Sequence, residues 1–315
     1  MTTTTTDLGP GAPEVGPRRV PRPAGTTAAR RPLMGLAFVA PTAVIVAALF
    51  LIPLAILVYM SFTNWPLLGR PEPNGLDNYV ALGKDDQFLG AIKFTLLYTA
   101  ITTVVLFAVA FVLVAISNSP RKGARFYRTA YFLPYVVGTA AASSMWWVNA
   151  NDQLGVVNHA LQSLGLVDQP VGLLASPGKA LFSVIALVVW KFIGFQVIVL
   201  LVGLRAIPVE LYEAARVDGA GVWQRLRYIT FPSMIPTLSL LTILSITGSL
   251  LAFDQFFVLT HGGPDNSTVT VVLALYNKAF QSFRLGNAAA EAVALLVALV
   301  LLNTVQLLLL RRREK

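Results

Sequence analysis

Six long apolar stretches constrain the fold of this chain more than any other feature of its sequence. They cover Leu33–Phe62, Phe94–Ile116, Phe126–Val148, Ala180–Leu204, Met234–Thr260 and Gly286–Leu310. Each provides about the 20 mainly apolar residues that a helix needs to cross a bilayer. Backbone groups must be paired inside hydrocarbon, so open strands cannot cross it, and the sequence lacks the ~10-residue alternating segments of a β-barrel. The sequence therefore predicts an all-α, polytopic membrane helical bundle with six transmembrane helices.

The composition limits the chemistry of the chain. Only 12% of the residues are charged, whereas soluble proteins have about 25%. There is no cysteine, and the two histidines, His159 and His261, are too few for a zinc site. The net charge of +9 could suggest nucleic acid, but the basic residues flank apolar stretches and form no basic–aromatic patch. We therefore expect membrane lipid, and neither nucleic acid nor a metal ion, as a partner.

The distribution of Lys and Arg predicts the orientation in the membrane. Seventeen of them precede the first apolar stretch or follow the second, fourth and sixth, and six lie in the other connections. Cytoplasmic connections carry the excess of Lys and Arg, so both termini are predicted to be cytoplasmic, in the plasma or inner membrane. Residues 1–32 are predicted to be a disordered basic tail rather than a cleavable signal peptide. Residues 33–315 are predicted to form the membrane domain.

The loop between the fourth and fifth stretches, residues 205–236, is predicted to contain two short helices. Pro208 suits a helix start, and Gly219 and Gly221 allow a left-handed turn before a second helix at about Val222–Tyr228. By this reading alone, the loop could be an ordinary amphipathic linker between two membrane helices.

The spacing of certain residues in this loop is more specific. They run as Glu-Ala-Ala, three residues, Gly, nine residues, Ile, one residue, Phe-Pro. This order resembles the EAA signature of ABC importer permeases, with Phe231 in place of the usual leucine. The residues that carry it are Glu213, Ala214, Ala215, Asp218, Gly219, Ile229 and Pro232. The segment Thr260–Pro264 is similar to the stretch after the fifth span in carbohydrate permeases, and the resemblance covers Leu33–Lys315. The chain thus resembles the carbohydrate-uptake (maltose and oligosaccharide, MalF-like) type of the binding-protein-dependent transport inner-membrane component family.

This resemblance implies the ABC type I importer permease fold, with residues 90–310 as the importer core and 205–236 as a loop with a cytoplasmic coupling helix. It implies three kinds of protein partner: a second homologous permease subunit, a cytoplasmic ATPase dimer that binds ATP and Mg²⁺, and an extracytoplasmic solute-binding protein. In this chain, Gly172–Lys179 only approximates a phosphate-binding loop, with wrong spacing and no hydroxyl for Mg²⁺. There is no nucleophile–base constellation either. We therefore expect a transport subunit that is not an enzyme, has no catalytic residue and binds no cofactor.

The resemblance also suggests where a sugar crosses. Aligned on the two motifs without gaps, the sugar contacts of the oligosaccharide permeases fall near Lys191, Phe192, Phe195, Ser245, Gly248 and Ser249. Asp254 and Glu291 complete the candidate path, because polar residues within membrane spans usually face a cavity or a partner.

Each of these residues has a second interpretation. The two phenylalanines could be core packing, and Ser245, Gly248 and Ser249 form a run of small residues that also suits close helix packing. Lys191 could reach the membrane surface or pair with an acid. Asp254 could have a structural role at the outer end of the fifth span. Glu291 could form an ion pair with Lys191, could contact a partner subunit, or could line the path.

Two other functions remain open at this point. A stand-alone secondary transporter would show inverted repeats or broken helices with acids at the midplane, and we recognise no such repeat. An ABC permease could instead carry glycerol phosphate or a polyamine. A phosphate-bearing solute would favour arginines within the spans, and all arginines here lie in connections or, for Arg128, in the first turn of the third stretch. The resemblance therefore implies an ATP-driven importer subunit that passes a di- or oligosaccharide into the cytoplasm by alternating access.

Overall fold

The computed structural model describes residues 32–117, 124–150 and 155–311, and it is mostly helical in these ranges. The prediction of an all-α membrane protein is confirmed. The helices are α1 (Pro32–Val46), α2 (Ile52–Ser61), α3 (Asp77–Leu82), α4 (Asp86–Ser117), α5 (Ala124–Val136), α6 (Thr139–Asn149), α7 (Val156–Ser163), α8 (Pro177–Arg205), α9 (Val209–Val217), α10 (Val222–Arg225), α11 (Phe231–Ser233), α12 (Ile235–Leu250), α13 (Asp254–Leu259), α14 (Val271–Tyr276) and α15 (Leu285–Arg311). Three π-helical turns, Ala47–Leu51, Leu226–Thr230 and Asn277–Gln281, interrupt this series. The tail predicted to be disordered lies outside the described residues, except for Pro32.

Four helices in the described ranges are long and apolar enough to cross a bilayer. They are Phe38–Ser61, Asp86–Ser117, Pro177–Arg205 and Leu285–Leu309. A fifth crossing is formed if Val222–Ser233 and Ile235–Leu250, which are bent by 63° at Met234, count as one span.

The predicted third span, Phe126–Val148, is not one continuous helix. Helix α5 ends at Val136 and α6 begins at Thr139. Pro134 lies in the last turn of α5 and has no N–H for the helical ladder, and Gly138 adopts an extended ψ of 143°. The break therefore has a local cause in the sequence.

The predicted fifth span, Met234–Thr260, is also divided. Helix α12 ends at Leu250, and Phe253 leaves helical geometry before the short α13 begins. Both divisions place irregular backbone at the depth of the membrane, where it must lie against protein or a cavity.

The chain divides into two compact units between Pro53 and Leu54. In the second unit, α8 is the central helix, and α4, α5 and α12 pack against it. Gly194 allows the contact with α5, because a Cβ there would lie 1.9 Å from the carbonyl oxygen of Tyr131. The core of this unit therefore follows α8.

A connection between α2 and α4 is fastened to the start of α15. Strands Thr63–Asn64 and Glu72–Pro73 form a two-stranded antiparallel pair. The Asn78 side chain donates hydrogen bonds to the carbonyls of Ser61 (2.9 Å) and Thr63 (3.0 Å). Gly286 of α15 lies so close that a Cβ would be 2.3 Å from the Thr63 carbonyl oxygen. These contacts order the connection against the membrane helices.

Candidate functional site

A cavity of about 440 Å³ lies where α4, α8, α12 and α13 meet the break between α5 and α6. Six of the eight predicted path residues line it: Phe192, Phe195, Ser245, Gly248, Ser249 and Asp254. Lys191 and Glu291 do not line it. The other lining residues include Tyr98, Tyr135, Thr139, Gln196, Phe253 and Gln255. Residues far apart in sequence thus share one partly open cavity, as is usual for a ligand site.

One wall of this cavity is aromatic. The rings of Tyr135 and Phe195 are stacked, with centroids 4.9 Å apart and an interplanar angle of 12°. Phe192 meets Tyr135 nearly edge-on, at 6.0 Å and 73°. Such a wall offers flat apolar surface to a solute.

Amide and hydroxyl groups face the same space. Gln255 Nε2 donates to the Tyr98 hydroxyl at 3.3 Å. Gln196 is 3% exposed, and its Nε2 has no hydrogen-bond partner among the described residues. A buried donor without a partner is unfavourable, so a solute oxygen entering the cavity would satisfy it. These groups suit a hydroxyl-bearing molecule.

The charge around the cavity is low and negative. Among the described lining residues, Asp254 is charged and no Lys, Arg or His is present. A phosphate or carboxylate would therefore meet no cation at this surface.

Several of these lining residues were not among the path residues predicted from the sequence. Tyr98, Tyr135 and Thr139 come from segments outside the pair of spans on which the motif alignment focused. A usable signal was present, since hydroxyl-bearing residues inside an apolar span usually face a cavity or a partner.

Lys191 lies behind the aromatic wall rather than in the cavity. Its ammonium donates to the carbonyls of Tyr135 (3.4 Å) and Val137. It also lies 5.2 Å from the centroid of the Phe192 ring. Within the described residues no carboxylate pairs with it.

Glu291 belongs to a separate charged group near the start of α15, which we call the ion-pair cluster: Asp85, Lys278 and Glu291. Lys278 donates to both carboxylates. Glu291 is fully buried, and its Oε2 has no partner among the described residues. The structure thus pairs Glu291 with Lys278 and not with Lys191, because the π-helical turn Asn277–Gln281 brings Lys278 against α15.

The two members of this cluster outside the membrane spans have shifted pKa values. Burial acts to raise the pKa of Asp85, but hydrogen bonds from Lys278 and from the N–H of Phe88 outweigh it and leave that pKa below its ordinary value. Burial acts to lower the pKa of Lys278, but its bonds to Asp85 and Glu291 raise it overall. Both groups are therefore charged at neutral pH.

The loop with the EAA-like spacing folds as two short helices around a glycine. Helix α9 (Val209–Val217) holds Glu213, Ala214 and Ala215, and Gly219 follows at φ +75°. The N–H of Ala220 donates to the Ala215 carbonyl at 2.8 Å, which closes the turn after α9. The left-handed conformation is one that glycine adopts without strain.

The second half of the loop is tied back to the first. The Gln224 side chain accepts from the N–H of Gly221 at 2.7 Å, at the start of α10. The hydroxyls of Tyr212 and Thr230 are 2.9 Å apart, and this bond joins α9 to the turn that leads into α11. Ile229 and Pro232 lie in that turn and in α11.

Large apolar side chains on this loop are exposed. Val217 is 89%, Val222 75% and Trp223 73% exposed. Glu213, Ala214 and Asp218 are exposed beside them. Large exposed apolar side chains concentrated in one short loop are typical of a protein contact.

A second cavity, of about 890 Å³, lies between α12, α15 and the segment that enters α12. Trp223, Phe231 and Leu238 are typical of its mainly apolar wall. Polar side chains also line it, among them Arg227, Thr242 and Gln306, but it contains none of the eight predicted path residues.

Comparison with known proteins agrees with these features. Residues 121–315 match the family model described as "binding-protein-dependent transport system inner membrane component". The multiple sugar-binding transport system permease protein MsmF of Streptococcus mutans is 31% identical over 89% of this chain and 96% of its own. The sn-glycerol-3-phosphate transport system permease protein UgpA of Agrobacterium fabrum is 30% identical, over 87% and 94%.

A solved structure shows the same fold. A chain of a bacterial ABC transporter that imports the acidic polysaccharide alginate matches with a TM-score of 0.79 and 25% identity, over 91% of this chain and 98% of that one. The same kind of transporter has been solved in complex with its alginate pentasaccharide-bound periplasmic protein.

Proposed function

Because the chain belongs to the binding-protein-dependent transport system inner membrane component family, we propose that it forms half of the membrane pathway of an ATP-driven importer for a neutral sugar. The observation that carries the proposal is the cavity beside α8. It combines stacked aromatic rings, amides and hydroxyls without a lining cation among the described residues. Rings suit the apolar face of a sugar, and the amides and hydroxyls suit its OH groups.

The polarity of the cavity favours a neutral sugar over a phosphate-bearing solute. Glycerol phosphate would bring negative charge next to Asp254, with no Lys or Arg of the described lining to balance it. A di- or oligosaccharide brings only hydroxyls, and the free amide of Gln196 can donate to one of them. The related UgpA permease therefore does not determine the solute of this chain.

In this proposal the energy comes from a separate ATPase dimer, which binds ATP and Mg²⁺ and contacts the loop 205–236. The exposed apolar residues of that loop and the small Ala214 support a protein contact there. The residues for this coupling are Glu213, Ala214, Ala215, Asp218, Gly219, Ile229 and Pro232. Closing and reopening of the ATPase would rock this chain against a second homologous permease subunit.

The remaining partner is an extracytoplasmic binding protein that delivers the sugar. The alginate transporter has been solved with such a protein, and here it would dock over the connections that hold α3 and α7. The Lys and Arg distribution supports cytoplasmic termini and a cytoplasmic loop 205–236.

Uptake by the complete importer in proteoliposomes tests the solute class. We expect uptake of labelled maltose, lactose or a longer neutral oligosaccharide, and none of sn-glycerol 3-phosphate. Phe195→Leu should lower sugar uptake, whereas Phe182→Leu, an exposed phenylalanine on the same helix, should not. Uptake of glycerol phosphate but of no neutral sugar would contradict the proposal.

Glu213→Ala tests the coupling part separately. In an importer that assembles normally, it should lower both uptake and sugar-stimulated ATP hydrolysis. If both activities survive at the level of the unchanged importer, the loop does not couple the ATPase to transport.

A further inference from the structure

The break between α5 and α6 leaves two backbone carbonyls without helical partners. In a continuous helix, the Tyr135 and Val137 carbonyls would accept from N–H groups four residues later. The hydrogen bonds of α6 instead begin at Gly138, whose carbonyl accepts from the N–H of Ala142 at 2.9 Å. Neither the Tyr135 nor the Val137 carbonyl accepts from a backbone N–H of α6. At membrane depth such carbonyls need another donor.

Lys191 supplies that donor from the neighbouring helix. Its side chain is 4% exposed, and its ammonium donates to both the Tyr135 and the Val137 carbonyl. The carboxyl end of a helix carries partial negative charge, which stabilises a cation there. The ammonium and the broken helix end therefore satisfy each other, and no carboxylate of the described residues is needed.

The same break determines the aromatic wall of the cavity. Tyr135 precedes it, Thr139 follows it, and both line the cavity. The Tyr135 ring is stacked on Phe195, one helical turn after Lys191. The close approach of α5 to α8 at Gly194 leaves little space for another path of the chain. The position of the Tyr135 ring is thus joined to the carbonyl that Lys191 binds.

We propose that Lys191 is a positioning residue that caps the carboxyl end of α5 and so keeps Tyr135 stacked on Phe195 as a solute-binding wall. The proposal rests on the proposed function of the cavity as the sugar site. It gives Lys191 no contact with the solute. It also differs from a lysine that extends to the membrane surface, because the ammonium is directed at the interior break.

The absence of cysteine allows a test of the geometry that requires no knowledge of the sugar. Thr139→Cys places one thiol on the cavity wall, and Ser144→Cys places one on the exposed face of the same helix. In the complete importer during ATP turnover, a small methanethiosulfonate reagent should label the first thiol and not the second. Adding Lys191→Met should reduce labelling at position 139 to the level at 144, and Lys191→Arg should restore it.

A double-mutant cycle in neutral-sugar uptake tests the functional part. Lys191→Met and Tyr135→Leu should each lower uptake. If Lys191 acts through Tyr135, the double variant should be no slower than Tyr135→Leu alone. Lys179→Met, which removes an exposed lysine of the same helix, is the matched control and should leave uptake unchanged.

The outcomes separate the two proposals. Unchanged labelling at position 139 in Lys191→Met overturns the positioning role, as do losses of uptake that multiply in the double variant. If Lys191→Met alters labelling at position 139 but leaves sugar uptake unchanged, the capping role of Lys191 is supported. The proposal that the cavity is the sugar site is then overturned. If Lys191→Met does not assemble, Lys191→Gln replaces it in both measurements; its shorter side chain keeps an amide NH2, so a partial loss of labelling and of uptake is then the expected result.

Discussion

Replacing Lys278 with methionine removes the cation that lies between Asp85 and Glu291. Glu291 is fully buried, and Lys278 is its ion-pair partner among the described residues. Removing one member of a buried ion pair costs about 3–5 kcal/mol, because the other charge is left uncompensated. We expect this loss of stability for Lys278→Met.

The other members of the cluster predict a graded series. The Asp85 side chain is 26% exposed, so its bond to Lys278 is screened and contributes only about 0–1 kcal/mol. Asp85→Asn also retains an oxygen that can accept from the N–H of Phe88. A double variant, Lys278→Met with Glu291→Met, removes both buried charges and should recover most of the loss, since apolar replacement of a buried pair is often neutral.

Thermal unfolding of the assembled importer, followed by tryptophan fluorescence at one fixed scan rate, measures this series. Lys278→Met should lower the unfolding midpoint by on the order of 10 °C, and Asp85→Asn by much less. A fixed rate matters because unfolding of such an assembly is governed by kinetics. The reasoning fails if Lys278→Met is no less stable than Asp85→Asn, or if the double variant is no better than Lys278→Met.

Three further predictions concern backbone geometry and pH. Gly194→Ala should reduce assembly sharply, because its Cβ would lie 1.9 Å from the Tyr131 carbonyl oxygen. Gly90→Ala is the control, since a Cβ there has nothing within 4 Å, and it should assemble normally. Size-exclusion chromatography measures the assembly of both variants. Gly219→Ala should strain the left-handed turn by about 1–2 kcal/mol and lower sugar-stimulated ATP hydrolysis, with Gly90→Ala again unaffected. The bond between Asp85 and Lys278 should stabilise the importer evenly between about pH 5 and 9. Asp85 has a lowered pKa, so its contribution is lost as the pH falls through that pKa. Lys278 has a raised pKa, so its contribution is lost as the pH rises through that pKa. An unfolding midpoint that changes steadily across neutral pH would contradict this.

The membrane helices and the loop 205–236 could be predicted because their signals are local. Apolar length defines a span, and the spacing from Glu213 to Pro232 lies within one connection. Each of these predictions needed only a few neighbouring residues.

The interruptions of helices were harder to predict, because apolar length does not distinguish a continuous span from a divided one. Pro134 and Gly138 lie within the third apolar stretch and each is tolerated in some membrane helices. Their combined effect depends on a donor from another helix, Lys191, more than 50 residues away in sequence. Composition contains no information on that pairing.

The partners of the buried polar residues depended on tertiary packing in the same way. Glu291 had three possible roles in the sequence, and the structure pairs it with Lys278, from a π-helical turn that the sequence does not signal. Tyr98 meets Gln255 across 157 positions of sequence. Such pairs become visible only when the helices are placed side by side.

The hydrogen bond between Tyr212 and Thr230 has a mechanical consequence. It closes a ring of backbone that contains both short helices of the loop, so a force applied to α9 cannot be absorbed by the intervening turn alone. The far end of that ring continues through α11 to Met234, where the chain bends by 63° into α12. If the loop couples the ATPase to transport as proposed, a push on it would act through this ring on α12, the helix that carries Ser245 and Ser249 along the cavity wall.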